Sequence, residues 1–151
     1  MGNLFISYSS KDTSEVNSIV KVIRDYNHSC FIAPESIPNG STYAHEVPGA
    51  IKDCDLYVIM VSKYSQESPW VKKEIECAKK NDKKILAIQI SPTPLNPSYK
   101  LYLKDIKIIS YHENADKVLK QLKTIIDIYI KNDGKQLTTE KVEAEKTIRI
   151  Q

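Results

Sequence analysis

Short apolar runs alternate along this chain with longer stretches in which apolar residues recur every three or four positions. The runs at 3–8, 29–33, 55–62, 84–90 and 105–110 read as strands. The run at 55–62 is apolar without alternation, as expected of a strand covered on both faces. Between the runs the period changes. Val16, Ile19, Val20 and Ile23 put a helix over 12–26. Asp12, followed three residues later by Glu15, has the layout of a capping box. A helix is also predicted over 43–53, made irregular by Pro48 and Gly49. Another covers 69–81, with Pro69 in its first turn. A strong final helix covers 114–130, with Val118, Leu119, Leu122, Ile125, Ile126 and Tyr129 on one face. The segments 34–41 and 91–99 carry prolines and are expected to be loops. Strands separated by helices imply a parallel sheet with right-handed crossovers. The predicted fold is a flavodoxin-like three-layer α/β sandwich, its five-stranded parallel sheet in the order 2-1-3-4-5.

Composition narrows the function classes. The 151 residues are 41% hydrophobic and 27% charged, which suits one globular domain. The net charge of +3 comes from 22 basic and 19 acidic residues, and the lysines are scattered. That balance argues against a nucleic-acid partner. No apolar run approaches the roughly 20 residues that span a bilayer, so no membrane partner is expected. The first residues have no signal-peptide layout. Cys30, Cys54 and Cys77 show no CxxC spacing and fit reduced thiols in a cytoplasmic protein. The domain is expected to occupy 1–132, and the polar stretch 133–151 to be a tail or linker.

Chemistry is expected where two loops meet. In a sheet of order 2-1-3-4-5, ligands bind beyond the carboxyl ends of strands one and three. One loop there is Tyr8-Ser9-Ser10-Lys11-Asp12, leading into a helix whose free N–H groups favour anions. The other runs from Ser62 to Trp70 and leads into the helix bearing Glu74. At about 100° per residue, Val71, Ile75 and Ala78 define that helix's core stripe. Glu74 then falls about 65° from the stripe, at its border, and Glu76 about 130° away in solvent. Trp70, four residues before Glu74, shares its side. A boundary acid paired with a lysine would look the same on this evidence.

The assembled motifs resemble the TIR (Toll/interleukin-1 receptor/resistance) domain. Leu4-Phe5-Ile6-Ser7-Tyr8-Ser9-Ser10-Lys11-Asp12 is similar to that family's opening box. Phe31-Ile32-Ala33-Pro34-Glu35-Ser36-Ile37-Pro38-Asn39-Gly40 resembles its second strand and BB loop in the bacterial form. Ser62, Ser65, Trp70 and Glu74 match the pattern Ser-x-x-Ser…Trp-x-x-x-Glu that carries the enzymatic glutamate. The resemblance spans about 3–130. It implies cleavage of NAD+ at the nicotinamide–ribose bond, with NAD+ as substrate and no cofactor, in bacterial immune defence against phage. It implies Glu74 as the catalytic residue and Tyr8, Ser9, Ser10, Lys11, Gly40, Tyr43, Ser62, Ser65 and Trp70 as candidate substrate-binding residues. It also implies self-association with other TIR domains through the BB loop, 34–41.

Two other classes stay open at this point. One is a scaffold that joins TIR domains without turnover. The other is a nucleoside transferase, which also sets a glutamate against a ribose. A phosphoacceptor receiver domain shares the fold class but needs an acid pair after strand one, where this chain has Ser7 to Ser10.

Overall fold

The computed structural model describes residues 2–33 and 42–131. Gly40, the rest of the 34–41 loop and everything after 131 lie outside them, so neither the BB-loop assignment nor the 132/133 domain boundary is addressed. The five strands are β1 (Asn3–Ser7), β2 (Ser29–Phe31), β3 (Leu56–Val61), β4 (Ile85–Gln89) and β5 (Ile108–Ser110). All pair in parallel, in the order β2-β1-β3-β4-β5. The topology expected from the alternation of periods is therefore the observed one. The central strand β3 is buried along its whole length, which explains its unbroken apolar sequence.

Two cores flank the sheet. Leu4 and Ile6 of β1 pack with Val58 and Met60 of β3 beneath α1 (Thr13–Asp25) and α6 (Ala115–Lys131). Phe5 of β1 and Tyr57, Ile59 and Val61 of β3 face the other way, beneath α2 (Tyr43–Asp53) and α4 (Pro69–Lys80). Side chains alternate across a strand, so Ser7 shares the face of Phe5. Ser7 is fully buried where the alternation would otherwise place another apolar side chain.

Local departures from the expected elements have identifiable causes. The chain does not enter α1 through an Asp12–Glu15 box. Ser9 instead caps a 3₁₀ turn, Ser10–Asp12, by accepting from the Lys11 N–H. Asp12 then precedes α1 without a side-chain cap bond. The α2 helix runs unbroken through Pro48 and Gly49. Its cap is Thr42, whose hydroxyl accepts from the His45 N–H at 3.2 Å, and the packing of Val47 and Ile51 holds it on the sheet. A short helix, α3 (Lys63–Glu67), occupies the loop after β3. The segment expected as loop to residue 99 turns into α5 (Pro97–Tyr102), with Asn96 as its cap. Lys84 closes the far end of the last helix, donating to the carbonyls of Tyr129 at 2.5 Å and Ile130 at 3.2 Å. Among the described residues, no helix is long and apolar enough to cross a membrane.

Candidate active site

Ser68 starts α4, its side chain accepting from the Val71 N–H, and Pro69 supplies the first helical position. The helix buries Val71, Ile75 and Ala78 as its pattern requires, and buries Glu74 with them. Glu74 is 6% exposed, well inside the border position that the helical wheel predicts, whereas Glu76 is exposed as expected. The difference comes from the sheet. Ser7 is small and polar, so it leaves room beneath α4 and offers a donor. Its Oγ donates to Glu74 Oε1 at 2.6 Å. From the other side, the Tyr43 hydroxyl donates to Oε2.

No cation pairs with Glu74 among the described residues. Its carboxyl is therefore held above the ordinary glutamate range, chiefly by burial, with the bonds from Ser7 and Tyr43 pulling the other way. Tyr43 is pushed well above the usual tyrosine range by burial, then by its bond to Glu74 and the negative charge there. Tyr57 of β3 pairs with Phe5, two residues before Ser7 and on the same face. Its hydroxyl is fully buried close to Ser7, with no hydrogen bond of good geometry among the described residues. Burial raises it well above the tyrosine range, and the charge of Glu74 adds to this. A buried acid held only by hydroxyls costs stability, and groups perturbed in this way concentrate at functional sites.

Glu74 also lines a cavity of about 220 Å³ between α2 and α4. Tyr43, Trp70, Lys73 and Cys77 line it too, with Val47, Pro48 and Ile51 as its apolar wall. Trp70 is 55% exposed, and its ring meets Tyr43 at a centroid distance of 4.6 Å and 60° tilt. Lys73 rests over the Trp70 ring, 5.0 Å from its centroid. A second cavity, of about 300 Å³, opens at the opposite end of β1 and β2, beside Asn3, Ser29 and Cys30, away from this acid.

The other residues expected at the site are placed as follows. The two loops do converge: Ser62 Oγ donates to Asp12 Oδ2 at 2.5 Å, joining the loop after β3 to the loop after β1. Ser62 and Ser65, expected as polar walls, are fully buried and do not line the cavity. Each caps the other across α3. The Ser65 N–H donates to Ser62 Oγ at 3.0 Å, and the Ser62 N–H to Ser65 Oγ at 2.9 Å. Their hydroxyls are thus committed to shaping the loop. Tyr8 packs on the α1/α6 side of the sheet, opposite Glu74, and its hydroxyl donates to the Ala33 carbonyl at 3.2 Å. Ser9 is spent on capping, Ser10 is exposed, and Lys11 lies 5.1 Å from the centroid of the Tyr64 ring. None of these four lines the cavity with Glu74.

Ser7, Asp12 and Lys73 belong to this region and were not among the expected site residues. Ser7 carried a legible signal, a polar residue of core parity in an otherwise apolar strand. Among the described residues, no group of His, Cys, Asp or Glu is arranged to hold a metal ion.

This is a doubly wound α/β domain, a class that binds ligands near the carboxyl ends of its strands, and here the last residue of β1, Ser7, holds the acid that lines the α2/α4 cavity. Within that class, this chain belongs to the TIR-domain family: the family model described as "TIR domain" matches residues 4–126. No curated protein matches the sequence. Among solved structures the fold is similar to the TIR domain of the Toll-related receptor TRR-2 from Hydra magnipapillata. The TM-score is 0.70 at 15% identity, over 85% of this chain and 98% of that chain. It is also similar to the CMP N-glycosidase BcmB of Clostridium botulinum, with TM-score 0.58 and 16% identity over 80% of this chain and 98% of that one. A third similar structure holds the TIR domains of the activated Roq1 resistosome, which directly recognises the pathogen effector XopQ. There the TM-score is 0.56 at 18% identity, over 99% of this chain and 97% of that chain. Identities this low show a shared fold alone.

Proposed function

We propose that this TIR domain is an N-glycosyl hydrolase that cleaves NAD+ at the nicotinamide–ribose bond, of the bacterial type that acts in defence against phage. One observation carries the reading. Glu74 is buried without a cation, held by Ser7 and Tyr43 at the edge of an aromatic-walled cavity. A carboxylate offers about four acceptor positions. Two are filled by the hydroxyls, and the remainder can anchor ribose hydroxyls.

In the reaction, the C1′–N bond breaks and its electron pair goes to the pyridinium nitrogen, so nicotinamide leaves neutral. The ribose develops oxocarbenium character, which a nearby fixed anion stabilises. Water then attacks C1′ and loses a proton to give ADP-ribose. Attack by an atom of the same molecule gives a cyclic isomer instead. Glu74 serves as an anchoring anion in this scheme.

A second reading, cleavage of a nucleotide whose base is neutral, is favoured by the likeness in fold to a CMP N-glycosidase. A neutral base is a poorer leaving group and gains from protonation by a general acid. Among the described cavity residues the titratable groups are Tyr43, Lys73, Glu74 and Cys77, with no second carboxyl or histidine. That set suits a cationic leaving group better. A scaffold role, with self-association through 34–41, is compatible with turnover. The test is chromatography of products from NAD+ and from CMP, with wild type, Glu74→Ala and Glu74→Gln, at low and high protein concentration. Nicotinamide release that Glu74→Ala abolishes supports the proposal. Full turnover by that variant, or release of cytosine alone, refutes it.

A further inference from the structure

We infer that Lys73 is a phosphate-recognising specificity residue, and that the cavity takes the 5′-phosphorylated riboside half of a dinucleotide. This rests on the N-glycosidic reading of the same site. Trp70, Lys73 and Glu74 stand at i, i+3 and i+4 on α4, so the three side chains fan over a single turn. All three line one cavity. Lys73 is the cation among its described lining residues, and no carboxylate among the described residues pairs with it. Its contact is the face of Trp70, which holds the ammonium at the mouth without neutralising it. The arrangement thus sets a ribose-binding carboxylate, an aromatic plate and an unneutralised ammonium side by side. The carboxylate and the ammonium match the sugar hydroxyls and the 5′-phosphate of one nucleotide, with the Trp70 ring positioning the ammonium.

The cavity volume sharpens the claim. At about 220 Å³, it lies below the roughly 300–1,000 Å³ of pockets that enclose whole drug-sized ligands. A single phosphorylated riboside suits it, and the second nucleoside of a dinucleotide would lie outside.

Trp70 is the single tryptophan of the chain, so its emission reports on Lys73 and the cavity directly. The experiment titrates the full chain with nicotinamide mononucleotide and with nicotinamide riboside. It follows Trp70 fluorescence and, in parallel, nicotinamide release by chromatography. Wild type is expected to bind the mononucleotide about ten- to a hundredfold more tightly than the riboside, the range of a charge-assisted contact. Lys73→Met should bring the mononucleotide down to the level of the riboside, and Lys73→Arg should keep most of the preference. Equal affinities in wild type, or a Lys73→Met variant that retains the preference, overturn the inference. A phosphate preference with no nicotinamide released from NAD+ in the same assay leaves the Lys73 site standing and refutes the hydrolase reading. Release from both ligands with no preference does the reverse.

Discussion

Replacing Tyr43 by phenylalanine removes one hydroxyl and keeps the ring that packs on Trp70. The hydroxyl donates to Glu74 Oε2, and Ser7 then remains as the donor to that carboxylate. A hydrogen bond to a charged group is worth about 1.5–3 kcal/mol. Because that bond is stronger to the ionised carboxylate than to the neutral acid, its loss should raise the titration midpoint of Glu74 beyond its already elevated position. The direction follows because the lost bond favours the ionised form, opposing the burial that favours the neutral one. Carbon-13 titration of the Glu74 carboxyl reads the midpoint directly and needs no substrate.

Stability gives a second readout. Glu74 has a raised folded pKa, so the folded state holds its proton to higher pH than the unfolded chain does. Its contribution to stability is fully present below the ordinary glutamate value and is lost as pH rises through the folded one. Phenylalanine enlarges that loss. The variant should therefore melt lower than wild type at pH 7, by about 3–12 °C for 1.5–3 kcal/mol in a domain of this size. The gap should be clearly smaller at pH 4, where the carboxyl is protonated in both states. A midpoint that stays put or falls, or an equal melting deficit at pH 4 and pH 7, would refute the reasoning.

Glu74→Gln should abolish nicotinamide release and raise the melting temperature at pH 7 relative to wild type. Its advantage should shrink toward pH 4, because glutamine removes the buried charge; calorimetry at the two pH values checks this. Ser62→Ala should destabilise the domain by about 1–3 kcal/mol in urea denaturation, since it removes the α3 cap and leaves the buried Asp12 carboxylate without that donor. Ile75→Ala, at a fully buried position between α4 and the sheet, should cost about 2–5 kcal/mol in the same assay. It should also lower turnover if it shifts α4 and with it Glu74.

These sites differ in how far ahead the chain could be read. The sheet order and the long helices were legible because each is set by a period repeated over many residues. Val16, Ile19, Val20 and Ile23 all bury one face of α1, and no distant contact is needed to see it. Asp12 was misread for the opposite reason. Its neighbours offer a capping pattern, but the donor it meets is Ser62, fifty residues away, and a local pattern cannot count that competitor. Ser62 and Ser65 mislead in the same way, since a hydroxyl near a site looks like a ligand contact until its cap bonds are known.

Glu74 joins the two cases. Its place on α4 followed from helical geometry, whereas its depth depended on Ser7 in a strand 67 residues earlier. An apolar side chain at Ser7 would fill the space and remove the donor, forcing Glu74 outward or leaving it with Tyr43 as its one anchor. The fold alone would do better with apolar residues at both positions, because a buried acid without a cation is a burden on stability. Two positions that each depart from the core pattern, and that satisfy each other, are therefore stronger evidence of a selected site than either residue is alone. The pairing is testable as a unit: Ser7→Ala and Glu74→Gln should be non-additive in stability, because glutamine turns the charge-assisted bond from Ser7 into a weaker neutral one, so that Ser7→Ala removes less in its presence.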